Sequence, residues 1–208
     1  ETARALAESL VGTAQGAGCR TAALITDMSQ PLGLCAGNAV EVRECMDTLT
    51  GVSVSLRLWE VTVALGAEAL VLAGLAETVG EGAARIAEAL ETGRAAEIFG
   101  RMVAELGGPR DFLENYDQHL PEARVVAEVP ALADGFVTAV DAEALGHAVV
   151  HLGGGRLRDG DKLDMSVGLT ELATVGEEYA EGEPLALVHA ADEAGAARAV
   201  AAVQAAYR

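Results

Sequence analysis

Between residues 56 and 120 every apolar pattern in this chain repeats with the helical period. From Val125 onward, short alternating runs broken by glycine turns take over. A chain divided in this way has to build a helical layer and a separate unit containing a sheet, because the two periods bury different faces. In the first part Leu58, Val61, Leu65, Ala69 and Leu72 share one side of a helix, while Trp59, Val63 and Leu70 lie elsewhere around it. A helix apolar nearly all round is expected to be buried. Two amphipathic helices follow, one carrying Val79, Ala83, Ile86 and Leu90, the other Ile98, Phe99, Met102, Val103 and Leu106, with Gly93 and Gly107 as C-terminal stops.

The pattern changes near Pro121. Val125–Val129 and Gly135–Val140 read as short strands, and Asp141 is placed to cap a helix carrying Leu145, Ala148, Val149 and Leu152. Gly153, Gly154 and Gly155 end that helix. From Asp164 to Ala190 apolar residues alternate with turns as in β-hairpins, before a final Ala-rich helix. These features set a boundary at residues 118–123 and divide the chain into 1–120 and 121–208. At the other end, Leu6, Leu10 and Val11 mark a helix stopped by Gly16 and Gly18, and Thr21–Thr26 reads as a buried strand. The loop DMSQPLGLCAGN follows, and then a helix with Val42, Cys45, Met46 and Leu49. Helix, strand, loop, helix is the grammar of a parallel α/β sheet.

Charge narrows the function. Fourteen Lys and Arg stand against 32 Asp and Glu, a net charge of −18 over 208 residues. Residue 120 divides it evenly, with 17 acids against 8 bases before it and 15 against 6 after, so neither half hides a basic domain. Such a surface repels nucleic acid and anionic membranes. No apolar run approaches the roughly 20 residues of a membrane span. Cys19, Cys35 and Cys45 form no CxxC pair, which fits a reducing, cytoplasmic setting better than a disulfide framework. The chain opens as ETARALAESL, without Met and already helical in pattern, which is expected of a piece of a longer protein.

Four constellations carry possible chemistry. Glu143, His147 and His151 stand at i, i+4 and i+8 and offer zinc-type donors, but no HExxH pattern puts a general base between the histidines, and a solvated helix face is the preferred reading. The glycines at 153–155 follow a helix, whereas phosphate loops precede one. The glycines of Gly80–Arg85, weighed together with that run, open a helix with no strand before it. Lys162, the chain's one lysine, sits in an Asp- and Gly-rich turn that suits a prosthetic-group carrier or plain turn chemistry. The fourth, Ile25–Glu44, leaves a strand with Asp27, Ser29, Gln30, Pro31, Gly33 and Asn38. Glu41 and Glu44 come from the next helix. Strand ends of open α/β sheets collect ligands, and carbonyls with carboxylates suit a hard cation. A binding loop and an ordinary tight connection both remain open on these grounds.

ITDMSQPLGLCAGNAVEVRE strongly resembles the thymidine and pyrimidine-nucleoside phosphorylases, which carry a stretch like TDMxQPLGxxxGNxxEVxE. The likeness continues through IFGRMVAELGGPRDFLENY (Ile98–Tyr116), ADGFVTAVDAEALGHAVVHLGGGR (Ala133–Arg156), DMSVGLTEL (Asp164–Leu172) and EGEPLALVHA (Glu181–Ala190). It therefore covers essentially the whole chain. The resemblance implies an α/β fold, with residues 1–120 the distal part of a mixed α/β sheet domain flanked by helices and 121–208 a small α+β C-terminal domain. It implies reversible phosphorolysis of a pyrimidine deoxynucleoside by phosphate, without an organic cofactor or a nucleic-acid or membrane partner, in a parent enzyme that is a homodimer.

The family's phosphate-binding Gly- and Ser-rich segment and its base-holding Arg, Ser and Lys match nothing here. No catalytic or substrate-binding residue can therefore be assigned, and the 208 residues alone are expected to be inactive. One site carries over: a monovalent or calcium cation held by the main-chain carbonyls of Leu32 and Cys35 and by the Glu44 carboxylate. The resemblance gives no role to His147, His151 or Lys162. A non-catalytic binding or scaffold module that kept the fold is the competing expectation.

Overall fold

The computed structural model describes residues 2–208. About half of the chain is helical, and its strands are concentrated where the sequence alternates. Helix α1 (Thr2–Gly16) is followed by strand β1 (Ala36–Gly37) and by helices α2 (Ala39–Thr50), α3 (Leu56–Leu72), α4 (Val79–Glu91), α5 (Arg94–Glu105) and α6 (Phe112–His119). Strands β2 (Val125–Pro130) and β3 (Gly135–Phe136), helix α7 (Ala142–Val149), strands β4 (Gly168–Thr170), β5 (Glu178–Tyr179) and β6 (Pro184–Ala190), and helix α8 (Glu193–Ala206) complete the chain.

The main sheet has the order β1-β4-β6-β2 and is antiparallel throughout; β3 and β5 form a second, two-stranded antiparallel sheet. Helices α7 and α8 cover the main sheet. On α8 the buried residues Ala196, Ala199, Val203 and Ala206 recur at helical spacing, and their small side chains let the helix lie close to Val129, Leu169 and Val188, which are fully buried. Asp141 caps α7 as its position suggests, its carboxylate accepting the Ala144 N–H at 2.9 Å. A π-helical turn, Val150–Gly154, carries the chain out of α7, and Gly153 with φ 104° turns it away. The glycines at 153–155 are thus a helix stop.

In the preceding half α3 and α4 pack against each other. Gly82 makes that approach possible: a Cβ there would lie 2.9 Å from the Ala67 Cα. The glycines of Gly80–Arg85 therefore serve helix packing, and Thr78 caps α4 by accepting the Glu81 N–H at 3.1 Å. Phe99 and Phe112, with ring centroids 6.4 Å apart, join α5 to α6.

Two expectations fail in this half. Residues 21–26 are not a buried strand. They join no ladder, and Leu24 and Ile25 are 41% and 58% exposed. A buried strand needs neighbours to take its N–H and C=O groups, and among the described residues none lies alongside. For the same reason the parallel ladder suggested by helix, strand, loop and helix is not formed. Helix α3 is likewise not buried all round: Ala67 is its one fully buried residue among those described, while Leu56 and Leu65 are 69% and 51% exposed. Helix α1 buries no residue at all. No described helix is long and apolar enough to cross a membrane.

Candidate functional site

The segment Asp27–Glu44 folds back on itself through its own carboxylates. Asp27 accepts the Ser29 N–H and hydroxyl, each at 2.8 Å. Arg57 reaches it from α3, one guanidinium nitrogen donating to the Asp27 carbonyl at 3.3 Å. The Ser29 bonds, with Arg57 behind them, hold the Asp27 carboxyl below its usual range. Pro31 and Gly33 then bring the chain against α2. Here Glu44 turns inward, and its Oε1 accepts the Leu34 N–H at 2.7 Å. A Cβ on Gly33 would stand 2.7 Å from the Glu44 carboxyl carbon, so any larger residue here would push that carboxylate aside. One turn earlier Glu41 accepts the Gly37 N–H at 2.8 Å. Asn38 precedes α2 without a capping bond from its side chain.

A cation at Leu32, Cys35 and Glu44 would meet the Glu44 carboxylate in the space that Gly33 leaves beside the loop, where that carboxylate already accepts the Leu34 N–H. Cys35 contributes nothing through sulfur. Burial, and then the negative charge of Glu44, Glu41 and Asp47, pushes its thiol up to about 12, so it stays protonated and unreactive. No cluster of three or more His, Cys, Asp or Glu suited to a metal ion occurs among the described residues. A cation in this loop would therefore have to rest mainly on main-chain oxygens.

The loop also belongs to the C-terminal sheet. β1 pairs with β4, setting Ala36 opposite Leu169 and Gly37 opposite Gly168. Further bonds run from the Leu172 N–H to the Leu34 carbonyl (3.0 Å), from the Ala39 N–H to the Met165 carbonyl (3.1 Å) and from the Val175 N–H to the Gln30 Oε1 (3.0 Å). Between loop, α2 and sheet lies a cavity of about 410 Å³ lined in part by Cys35, Arg43, Glu44, Asp47, Glu171 and His189. His189 is half-buried, its Nε2 2.9 Å from the Thr170 hydroxyl. Burial and the nearby Arg43 lower its pKa, against the pull of Glu171. Helix α6 fixes the far side of α2: the Tyr116 hydroxyl donates to Asp47 at 2.6 Å and the Arg43 Nε to Asp117 at 2.7 Å.

Sequence reasoning found Asp27, Ser29, Gln30, Gly33, Glu41 and Glu44, all of which take part. It missed Arg57, Tyr116, Glu171 and His189, which lie far along the chain from the loop; no local pattern announces such contacts. The other constellations stay apart from this site. His147 lies 3.7 Å from Glu143 on an exposed face of α7, and His151 is in the π-helical turn. Lys162 is exposed in the loop before β4.

Two family models match the chain. Residues 1–96 match the one described as the glycosyl transferase family a/b domain, and residues 136–208 match the pyrimidine nucleoside phosphorylase C-terminal domain. They occur in that order along the chain and leave residues 97–135 between them.

Proposed function

The chain belongs to the thymidine and pyrimidine-nucleoside phosphorylase family, whose enzymes are of the pentosyltransferase type, and on that premise we propose that it forms part of a thymidine phosphorylase. In that reaction a phosphate oxygen attacks the anomeric carbon of thymidine and the bond from that carbon to the base nitrogen breaks. Thymine leaves with the electron pair and takes up a proton, and the sugar departs as 2-deoxyribose 1-phosphate. The transition state is rich in positive charge at the sugar, so catalysis rests on placing the phosphate anion and stabilising the departing base.

The observation that carries this reading is the pair of family matches in chain order, with a loop inside the first of them paired to the sheet of the second. No residue of this chain is assigned to phosphate or to the pyrimidine. The 208 residues by themselves are therefore proposed to be inactive, and the parent enzyme to be a cytoplasmic homodimer acting in nucleoside salvage. Within the chain, the Leu32 and Cys35 carbonyls and the Glu44 carboxylate are proposed to hold a monovalent or calcium cation. When bound, it would supply positive charge that draws the loop and α2 together at Glu44.

The test is release of thymine from thymidine and phosphate, with uridine in parallel. The chain is assayed alone and with an added polypeptide bearing the Gly- and Ser-rich phosphate segment and the Arg, Ser and Lys set. Turnover is expected only in the mixture, with thymidine preferred. Turnover by the chain alone contradicts the proposed inactivity, uridine preference contradicts the thymidine assignment, and a folded complex inert toward both nucleosides favours a scaffold role.

A further inference from the structure

Glu171 has φ 53° and is the one non-glycine residue in the left-handed region among those described. It follows the end of β4, where Thr170 pairs with Leu187. That register would set residue 172 against Leu185, yet it is the Ala173 N–H that donates to the Leu185 carbonyl, at 2.8 Å. One extra residue has entered this strand, forming a β-bulge whose left-handed position, usually a glycine, is Glu171. Bulges re-aim the groups beside them. Here the Leu172 N–H leaves the ladder and donates to the Leu34 carbonyl at 3.0 Å.

Leu34 is thereby held at both ends, its N–H on Glu44 and its carbonyl on Leu172. Those bonds fix the two peptide planes that lie between the Leu32 and Cys35 carbonyls. The same C-terminal segment grips the loop on either side, through β1 on β4 after Cys35 and through the Val175 N–H on Gln30 before Leu32. A left-handed residue other than glycine persists only where its surroundings hold it there, and this one is exposed, so core packing of its side chain does not account for it.

We propose that Glu171 is a positioning residue for cation capture: its left-handed backbone turns the Leu172 N–H onto Leu34 and so aligns the Leu32 and Cys35 carbonyls with the Glu44 carboxylate. This inference rests on reading the loop as a cation site. It assigns the C-terminal domain a share in a site whose ligands all lie in the preceding domain. Backbone conformation carries the effect and the Glu171 charge does not.

The experiment compares K⁺ and Ca²⁺ binding by titration calorimetry, together with exchange of the Leu34 and Leu172 amides, in the full chain and in Glu171→Gly, Glu171→Gln and Glu171→Val. Glycine accepts the left-handed conformation freely and a β-branched residue resists it. Gly and Gln variants are therefore expected to bind within about twofold of the parent, whereas Val weakens binding roughly tenfold and speeds exchange at both amides. If Glu171→Val does not fold, Glu171→Ala is measured in its place, with a smaller loss in the same direction.

Parent-like binding and exchange in the Val or Ala variant overturns the positioning role while leaving the cation site standing. Weakened binding in Glu171→Gln alone also overturns it, by making charge the cause. If the unsubstituted chain binds neither cation, the reading of the site falls and the proposal with it.

Discussion

The two halves of this molecule differ in how completely they bury themselves. Of the 26 buried hydrophobic residues among those described, 19 come after Pro121, in the shorter half, and they include the large side chains Leu145, Leu169, Leu172 and Leu185. The seven before it include four alanines, Ala39, Ala67, Ala76 and Ala96, with Val40, Met46 and Phe112. In the same region Leu6, Leu10, Ile25, Met28, Leu56 and Leu65 are more than half exposed. A sheet covered by α7 and α8 completes a core within its own chain. The helices laid side by side in the preceding half leave these apolar side chains in the open instead. The loop Gln30–Cys35 lies on the border, bonded to Glu44 on α2 on one side and to Leu172 and Val175 of the packed half on the other.

The strongest way to break this contrast is a pair of truncations. Leu169→Ala opens a cavity under the main sheet and is expected to cost about 2–5 kcal/mol. Leu10→Ala on α1 should stay within about 0.5 kcal/mol. Urea denaturation followed by circular dichroism measures both, and equal losses would show that the two halves share one core. A smaller effect sharpens the picture at α2. Tyr116→Phe removes the hydrogen bond to Asp47 and should cost about 1 kcal/mol. In the parent chain the Tyr116 hydroxyl, pushed up to about 12 chiefly by that bond, should ionise late in an ultraviolet pH titration. Asp47→Asn should bring it down; an unmoved titration would mean the bond is not made in solution.

The smallest effect is expected at His189, whose pKa in the folded chain lies below the ordinary 6.5 because burial and Arg43 disfavour its charge. The unfolded chain then binds the proton more readily, so this histidine's contribution to stability is intact above pH 6.5 and falls as the pH drops through its folded value. His189→Gln should flatten that part of the stability curve. An unchanged slope would assign the acid sensitivity to other groups.

Much of this could be read from residue patterns. Helices α4, α5, α7 and α8, the Asp141 cap, the glycine stop after α7 and strand β2 follow from period and turn chemistry, which are local, whereas the strand expected over Gly135–Val140 shrinks to Gly135–Phe136 and α6 is not among the expected helices. So does the inward role of Glu44, suggested by carboxylates one turn apart beside a Pro–Gly loop. Burial was the failure. Thr21–Thr26 and α3 have the composition of buried elements, and composition states what a segment can bury but not whether a neighbour lies there to cover it. The Glu171 bulge was equally invisible, since its residue type argues against a left-handed backbone and only the shifted pairing of Ala173 with Leu185 reveals it.

Native-state hydrogen exchange of the 208-residue chain tests the central claim, that the packed C-terminal sheet holds the loop while the segment before it stands uncovered. Amides of Leu169, Val188 and Val203 should exchange only through global unfolding, Leu34 should be protected with them, and residues 21–26 should exchange at nearly the rate of an unstructured peptide. Protection of residues 21–26 equal to that of β6, or a Leu34 amide as fast as those residues, would contradict it.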